Sequence, residues 1–173
     1  MYLDDFFSEI NVIWYYIREK LHYCPSTTMR RSTTADTYIH AYFCGQWDKY
    51  RDLKRKGLWW DVEPQLQRYV VGASTRLGRP WHEVDNVFFP INVGNYHWCL
   101  GVLDLPNWNL VIFNSLRGRY HDKNVLNVVN PVATMMFEVL DSCGYFDYKP
   151  ELLGKRNSSM SLCQVTSLEQ LGR

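Results

Sequence analysis

The sequence has no CxxC pair, and its five cysteines, Cys24, Cys44, Cys99, Cys143 and Cys163, are odd in number and scattered. That spacing gives no support to a zinc site, and a chain of 173 residues has no need of a disulfide scaffold. Nor does any apolar run approach the roughly 18 residues that would cross a bilayer. Charge of neither sign prevails: 19 Lys plus Arg stand against 18 Asp plus Glu, a net charge of +1. No global field therefore draws the chain to nucleic acid or to an anionic membrane. Met1-Tyr2-Leu3-Asp4-Asp5 is acidic where a secretory leader carries its basic segment. The expectation is an intracellular, reducing location, nucleus or cytoplasm. Internal repeats and low-complexity tracts are absent too.

Apolar and aromatic side chains are plentiful. Hydrophobic residues make up 46% of the chain and aromatics 16%, with seven Trp and twelve Tyr. Such a composition folds rather than staying disordered, and the length suits one domain over 1–173 with a substantial core.

Between Leu3 and Leu21 the residues Phe6, Phe7, Ile10, Ile13, Trp14 and Ile17 recur at three and four, which predicts an amphipathic helix. Asp4 and Asp5 favour its start through the helix dipole. Met29 to Thr34 reads as a loop. Thr34 or Asp36 is placed to cap a second helix to about Tyr50. Lys49 to Lys56 then holds five basic residues in eight, followed by Trp59-Trp60. Basic residues beside aromatics can hold single strands of nucleic acid, although a charge run is more commonly a solvated face. Gly72 to Pro80 reads as loop. His82, Glu83 and Asp85 would meet on a metal only by folding back on themselves, and no metal or cofactor is expected. Asn124 to Leu140 has helical spacing, with Pro131 marking either a kink or a fresh first turn.

The strongest strand pattern lies between Asn86 and Leu116. Val87-Phe88-Phe89 stops at Pro90, His97 to Leu105 follows, and a turn at Pro106-Asn107 leads into Leu110 to Ser115. A two-residue turn there sets Leu105 opposite Trp108 and Cys99 opposite Asn114. His97 then shares a face with Asn114 as its diagonal neighbour. An imidazole beside a side chain able to fix its tautomer is the base-and-orienter half of a nucleophilic site.

A thiolate is the nucleophile such a pair serves without a metal. Cys99 is two residues past His97 on the same face, where an inert buried thiol is the simpler reading. Cys143 sits at a predicted helix C-terminus, whose partial negative charge opposes a thiolate. Cys163 lies downstream of both His97 and Asn114, and a helix starting there would favour its thiolate.

The blocks Phe89-Pro90-Ile91-Asn92, His97-Trp98-Cys99-Leu100-Gly101-Val102-Leu103-Asp104-Leu105 and Val111-Ile112-Phe113-Asn114-Ser115-Leu116 resemble the ubiquitin-like-protein (SUMO) proteases. The likeness is greatest to divergent, transposon-associated plant copies, and it is closest over 86–116. It implies an α+β papain-like cysteine-protease fold, with N-terminal helices packed on a central, mostly antiparallel sheet and a truncated or divergent part after 150. The implied activity is cysteine-type hydrolysis of peptide or isopeptide bonds at the C-terminus of a SUMO or ubiquitin-like modifier, by a monomer. On that resemblance His97 is the catalytic base, Trp98 borders the substrate channel and Asn114 occupies the acidic position. Cys163 is the nucleophile, and Asn157, six residues earlier, is the oxyanion donor. The sequence departs from the family pattern at four places: Asn114 replaces Asp, Asn157 replaces a longer Gln, and Leu162 and Gln164 flank Cys163 where the family has Asp and Gly. These departures keep two other expectations open. One is an inactive pseudo-protease that binds the modifier; the other is a nucleic-acid-binding remnant resting on Lys49 to Lys56.

Overall fold

The computed structural model describes residues 3–23, 31–74, 76–116, 119–156 and 158–165, with the side chains of 3–8 and 119–122 left aside. Asn157, Cys24 and the segment 166–173 lie outside the described residues. Helix α1 spans Leu3–Tyr23 and strand β1 Ser32–Thr34, followed by helix α2, Thr37–Arg55, and helix α3, Pro64–Val70. Strands β2 (Asn86–Val93), β3 (His97–Asp104) and β4 (Asn109–Phe113) come next. Helix α4 (Arg119–Ser142), the short α5 (Tyr145–Tyr148) and strand β5 (Ser161–Val165) follow.

The five strands form one sheet in the order β1-β2-β3-β4-β5. Its centre, β2-β3-β4, is antiparallel, while β1 and β5 join the edges in parallel. The mixed α+β architecture is thus the expected class. Parallel edges were not legible, because each partner lies far away in sequence and a strand of three or five residues carries little periodicity. Ser32–Thr34, read as loop, is a fully buried strand tied to α1 by Arg18 Nε, which donates to Thr34 Oγ1 at 2.9 Å.

Pro90 does not stop β2, which runs through it to Val93. The Phe88 carbonyl accepts from Ala35 N, so the even-numbered backbone groups of β2 face β1. Two residues on, Pro90 nitrogen points the same way, but β1 has already ended opposite Phe88. A residue without an N–H is tolerated where no strand asks for one.

One face of the sheet is the core face. Val87, Phe89, Ile91, Cys99, Leu103, Leu110 and Ile112 are buried in one cluster with Ile39 and Phe43 of α2 and Val125, Val129, Val132, Met136 and Val139 of α4. Each such side chain contributes roughly 1.5–3 kcal/mol by leaving water. Gly101 belongs to that face and has to be glycine, since a Cβ there would come within 2.6 Å of the Phe89 ring. On the other face Phe88, Trp98, Leu100, Val111 and Phe113 are half-buried.

Asp36 caps α2, its Oδ1 accepting from Tyr38 N at 3.0 Å. The helix runs five residues beyond Tyr50 and takes in most of the basic run. It ends at Gly57 in the left-handed region (φ 67°), where Gly57 N donates to Lys54 O and Leu58 N to Leu53 O. This is the Schellman arrangement that satisfies a helix's last carbonyls. Helix α4 is continuous through Pro131. Proline has no N–H to give the Asn127 carbonyl four residues back; the next carbonyl, Val128 O, takes Nε2 of buried His40 at 3.1 Å and Cys44 Sγ at 3.4 Å. Helix α3 has no counterpart in the sequence reading, although Pro64 at its first turn and Leu66, Tyr69 and Val70 on one side were the available signals.

Candidate active site

His97 owes its place to a tight turn. Gly94 and Asn95 both have positive φ, 61° and 60°, the pairing that lets a turn follow the twist of its strands. Asn92 Oδ1 accepts from Asn95 N at 2.8 Å and closes the turn, so His97 opens β3 opposite Val93. The register between β3 and β4 pairs Leu100 with Phe113 and Gly101 with Ile112. Continued one step, it sets Cys99 opposite Asn114, the alignment read from the sequence. Asn114 follows β4 directly, and its backbone N–H donates to Val165 O of β5 at 3.2 Å.

His97 Nε2 lies 2.8 Å from Asn114 Oδ1. The Leu116 backbone N–H donates to the same Oδ1 at 3.1 Å. A backbone N–H can only donate, so the atom facing it is the carboxamide oxygen. That oxygen has no proton to give, hence Nε2 carries the hydrogen and Nδ1 of the neutral ring keeps the lone pair. The pair is therefore set with Nδ1 as the basic atom. Asn114 is 2% exposed, and its Nδ2 is buried with no hydrogen-bond partner among the described residues.

Cys99 Sγ donates to Asn114 Oδ1 at 3.6 Å. Burial pushes the Cys99 thiol up to about 11, so it stays protonated and does not serve as nucleophile. Cys44 is likewise pushed up to about 11, and burial also raises Cys143.

Cys163 is exposed in the middle of β5, opposite Val111, not at a helix N-terminus. Val111 in turn pairs with Val102, five residues along β3 from His97. Strand rise and spacing then put the two backbones roughly 20 Å apart. Cys163 also shares the face of Val102, whereas His97 shares that of Cys99 and Leu103, so the sheet itself separates thiol from imidazole. Trp98, next to His97, alternates to the opposite face and stands across from Asn92. The structure brings His97 and Asn114 together and does not bring Cys163 to them.

The remaining candidates have structural partners. His82 stacks on Tyr148 with ring centroids 4.0 Å apart, and Asp85 pairs with Arg31 at 2.9 Å. No three His, Cys, Asp or Glu side chains among the described residues stand close enough to hold a metal ion. No helix among them is long and apolar enough to cross a membrane. In the basic run, Arg51 pairs with Asp48, Lys54 with Glu138, and both Arg55 and Lys56 with Asp52. Four of the five basic residues of the run thus have an acidic partner.

What the sequence reading missed is the support of Asn114. The Leu116 N–H bond is the local turn that Asn side chains make two residues on, and the sequence held that signal. The Cys99 contact was implicit in the strand register but was not read as a bond.

The chain matches the model of the Ulp1 protease family C-terminal catalytic domain over residues 8–148. Among solved structures, SUMO protease Ulp1 with its catalytic cysteine oxidised to a sulfonic acid is 14% identical with a TM-score of 0.44, over 91% of this chain and 55% of that one. The C-terminal Ulp1 protease domain in complex with Smt3, the yeast orthologue of SUMO, is 15% identical with a TM-score of 0.42, over 89% and 52%. This chain therefore spans about half the length of the solved structures it matches. A comparison with curated proteins finds no match.

Proposed function

The chain belongs to the Ulp1 protease family, and from that premise we propose that it serves cysteine-type hydrolysis of the peptide or isopeptide bond at the C-terminus of a SUMO or ubiquitin-like modifier. The observation that carries this is the 2.8 Å bond between His97 Nε2 and Asn114 Oδ1. In this reading Nδ1 of His97 takes the proton of the attacking thiol and returns it to the leaving amine. Asn114 holds the ring but supplies no charge. The imidazolium is then less stabilised than beside a carboxylate, and the resting thiolate fraction is lower. Trp98 borders the modifier's tail. Asn157 is the proposed oxyanion donor, and losing one such donor costs about 10²–10³ in rate. For Cys163 to be the nucleophile, β5 must leave β4 and turn over.

A second reading, binding of the modifier without hydrolysis, is favoured by one observation: the described cysteine nearest His97 along the strand, Cys99, is buried and held as a protonated thiol. A SUMO-like probe with a C-terminal electrophile separates the two. Hydrolytic function predicts a covalent adduct that His97→Ala abolishes. Labelling that ignores His97→Ala overturns it, and affinity without any adduct establishes the binder. Neither adduct nor affinity removes both readings. An adduct that Cys163→Ser abolishes would show that β5 rearranges to make Cys163 the nucleophile; an adduct that survives Cys163→Ser would place the attacking thiol on another cysteine.

A further inference from the structure

The carboxamide of Asn114 can sit in two orientations that differ only in which atom meets His97. A carboxylate at this position would present an oxygen either way. Asn does not, and turned over it would set Nδ2–H against the Nε2–H of the imidazole. The ring would then have to switch tautomer and carry its proton on Nδ1, the atom needed as base. An Asn-based site therefore needs something that selects the orientation.

Two groups beside His97 do so. The Leu116 backbone N–H reaches Oδ1 at 3.1 Å, and the Cys99 thiol reaches the same oxygen at 3.6 Å. We infer that Cys99 is a positioning residue for the His97–Asn114 pair, its S–H helping to hold the carboxamide oxygen, and not the amide, against His97 Nε2. Cys99 lies on the core face at 5% exposure, in the β3 position opposite Asn114. From there its S–H donor has no bulk water to turn to. On the far side of the carboxamide Nδ2 is buried and finds no acceptor among the described residues. The orientation is thus selected at the near end, by the two donors that meet Oδ1. The thiol's burial, which disqualifies it as a nucleophile, keeps it in the S–H form that this task requires.

The inference rests on the proposed function only for its kinetic consequence, so the test reads the ring directly. Nitrogen-resolved NMR of the full chain gives the His97 tautomer ratio and the Asn114 side-chain amide shifts. Wild type is expected to show the Nε2–H tautomer as the dominant neutral form. Cys99→Ala and Cys99→Val, which lack a donor, are expected to raise the Nδ1–H population roughly two- to fivefold, as the loss of one modest hydrogen bond allows. Cys99→Ser, which keeps a donor, is expected to restore the wild-type ratio. Folded Ala and Val variants with wild-type His97 and Asn114 signals would overturn the inference. Should neither fold, Cys99→Ser decides, because its stronger hydroxyl donor must shift the Asn114 amide signals, and unchanged signals would count against it. Where the protein hydrolyses the modifier, the same Ala and Val variants should lower kcat two- to fivefold at unchanged KM. A wild type that hydrolyses nothing defeats the functional reading and leaves the ring measurement standing.

Discussion

Two histidines in this molecule make nearly the same hydrogen bond and do different work. His40 and His97 each place Nε2 about 3 Å from an amide oxygen, 3.1 Å for His40 and 2.8 Å for His97. His40 reaches a backbone carbonyl, that of Val128 in the turn before Pro131. It is 5% exposed, and burial lowers its ring below the ordinary imidazole range. His97 reaches a side chain at the mouth of a hairpin and stays half-buried. Cysteine accompanies both: Cys44 lies 3.5 Å from His40 Nε2, and Cys99 shares the oxygen that His97 contacts. A cysteine close to a histidine is therefore no signature of catalysis here. What distinguishes His97 is a side-chain partner, the Asn114 carboxamide, held in place by the Leu116 N–H.

The largest break in this symmetry comes from exchanging the two losses. His97→Ala is expected to reduce probe labelling by about 10²–10⁴-fold, the range for losing a general base, while changing stability by less than about 1 kcal/mol. His40→Ala should do the reverse, leaving labelling unchanged and lowering unfolding free energy by about 2–3 kcal/mol. It both empties core volume and strips Val128 O of its Nε2 donor. Labelling rates and urea unfolding of both variants decide this, and equal stability losses would erase the distinction.

A smaller effect is expected from Asn114→Ala, in which His97 keeps its chemistry but loses its holder. Labelling should fall about 10–100-fold, as for other hydrogen bonds that orient a working imidazole. A loss as complete as that of His97→Ala would mean that Asn114 does more than orient.

The smallest effect sharpens the comparison through pH. Burial depresses the folded-state value of His40, so the unfolded chain gains its proton first, near pH 6.5. The contribution of the neutral ring to stability is complete above that value and is lost as pH falls through the window below it. The gap in Tm between wild type and His40→Gln should therefore narrow by about 2–4 °C from pH 7.5 to pH 5, on the order of 1 kcal/mol for a chain of this size. A constant gap would show that His40 does not titrate with unfolding.

The same contrast explains what was legible beforehand. Strand alternation and a tight turn are local rules, so the alignment of Cys99 with Asn114 followed from counting. Helices α1 and α2 followed from spacing and from the Asp36 cap. Cys163 was read from its place downstream and from family spacing, neither of which carries information on strand register. Only the parallel pairing with β4 reveals that it lies on the other face. Pro90 was read as a strand end because the rule for proline depends on whether a neighbouring strand needs its N–H, and β1 was not visible as a strand. His40 drew no attention because its partner is a backbone carbonyl 88 residues away.

The sheet's connectivity also orders its assembly in time. Strands β2, β3 and β4 are joined by short turns, and closing short loops is fast and entropically cheap. Strand β5 can pair only after the long excursion through α4 and α5, the kind of non-local contact that slows folding. His97 and Asn114 are therefore expected to meet while the molecule is still assembling, before its last edge is in place. A chain arrested before β5 docks would already hold its imidazole oriented.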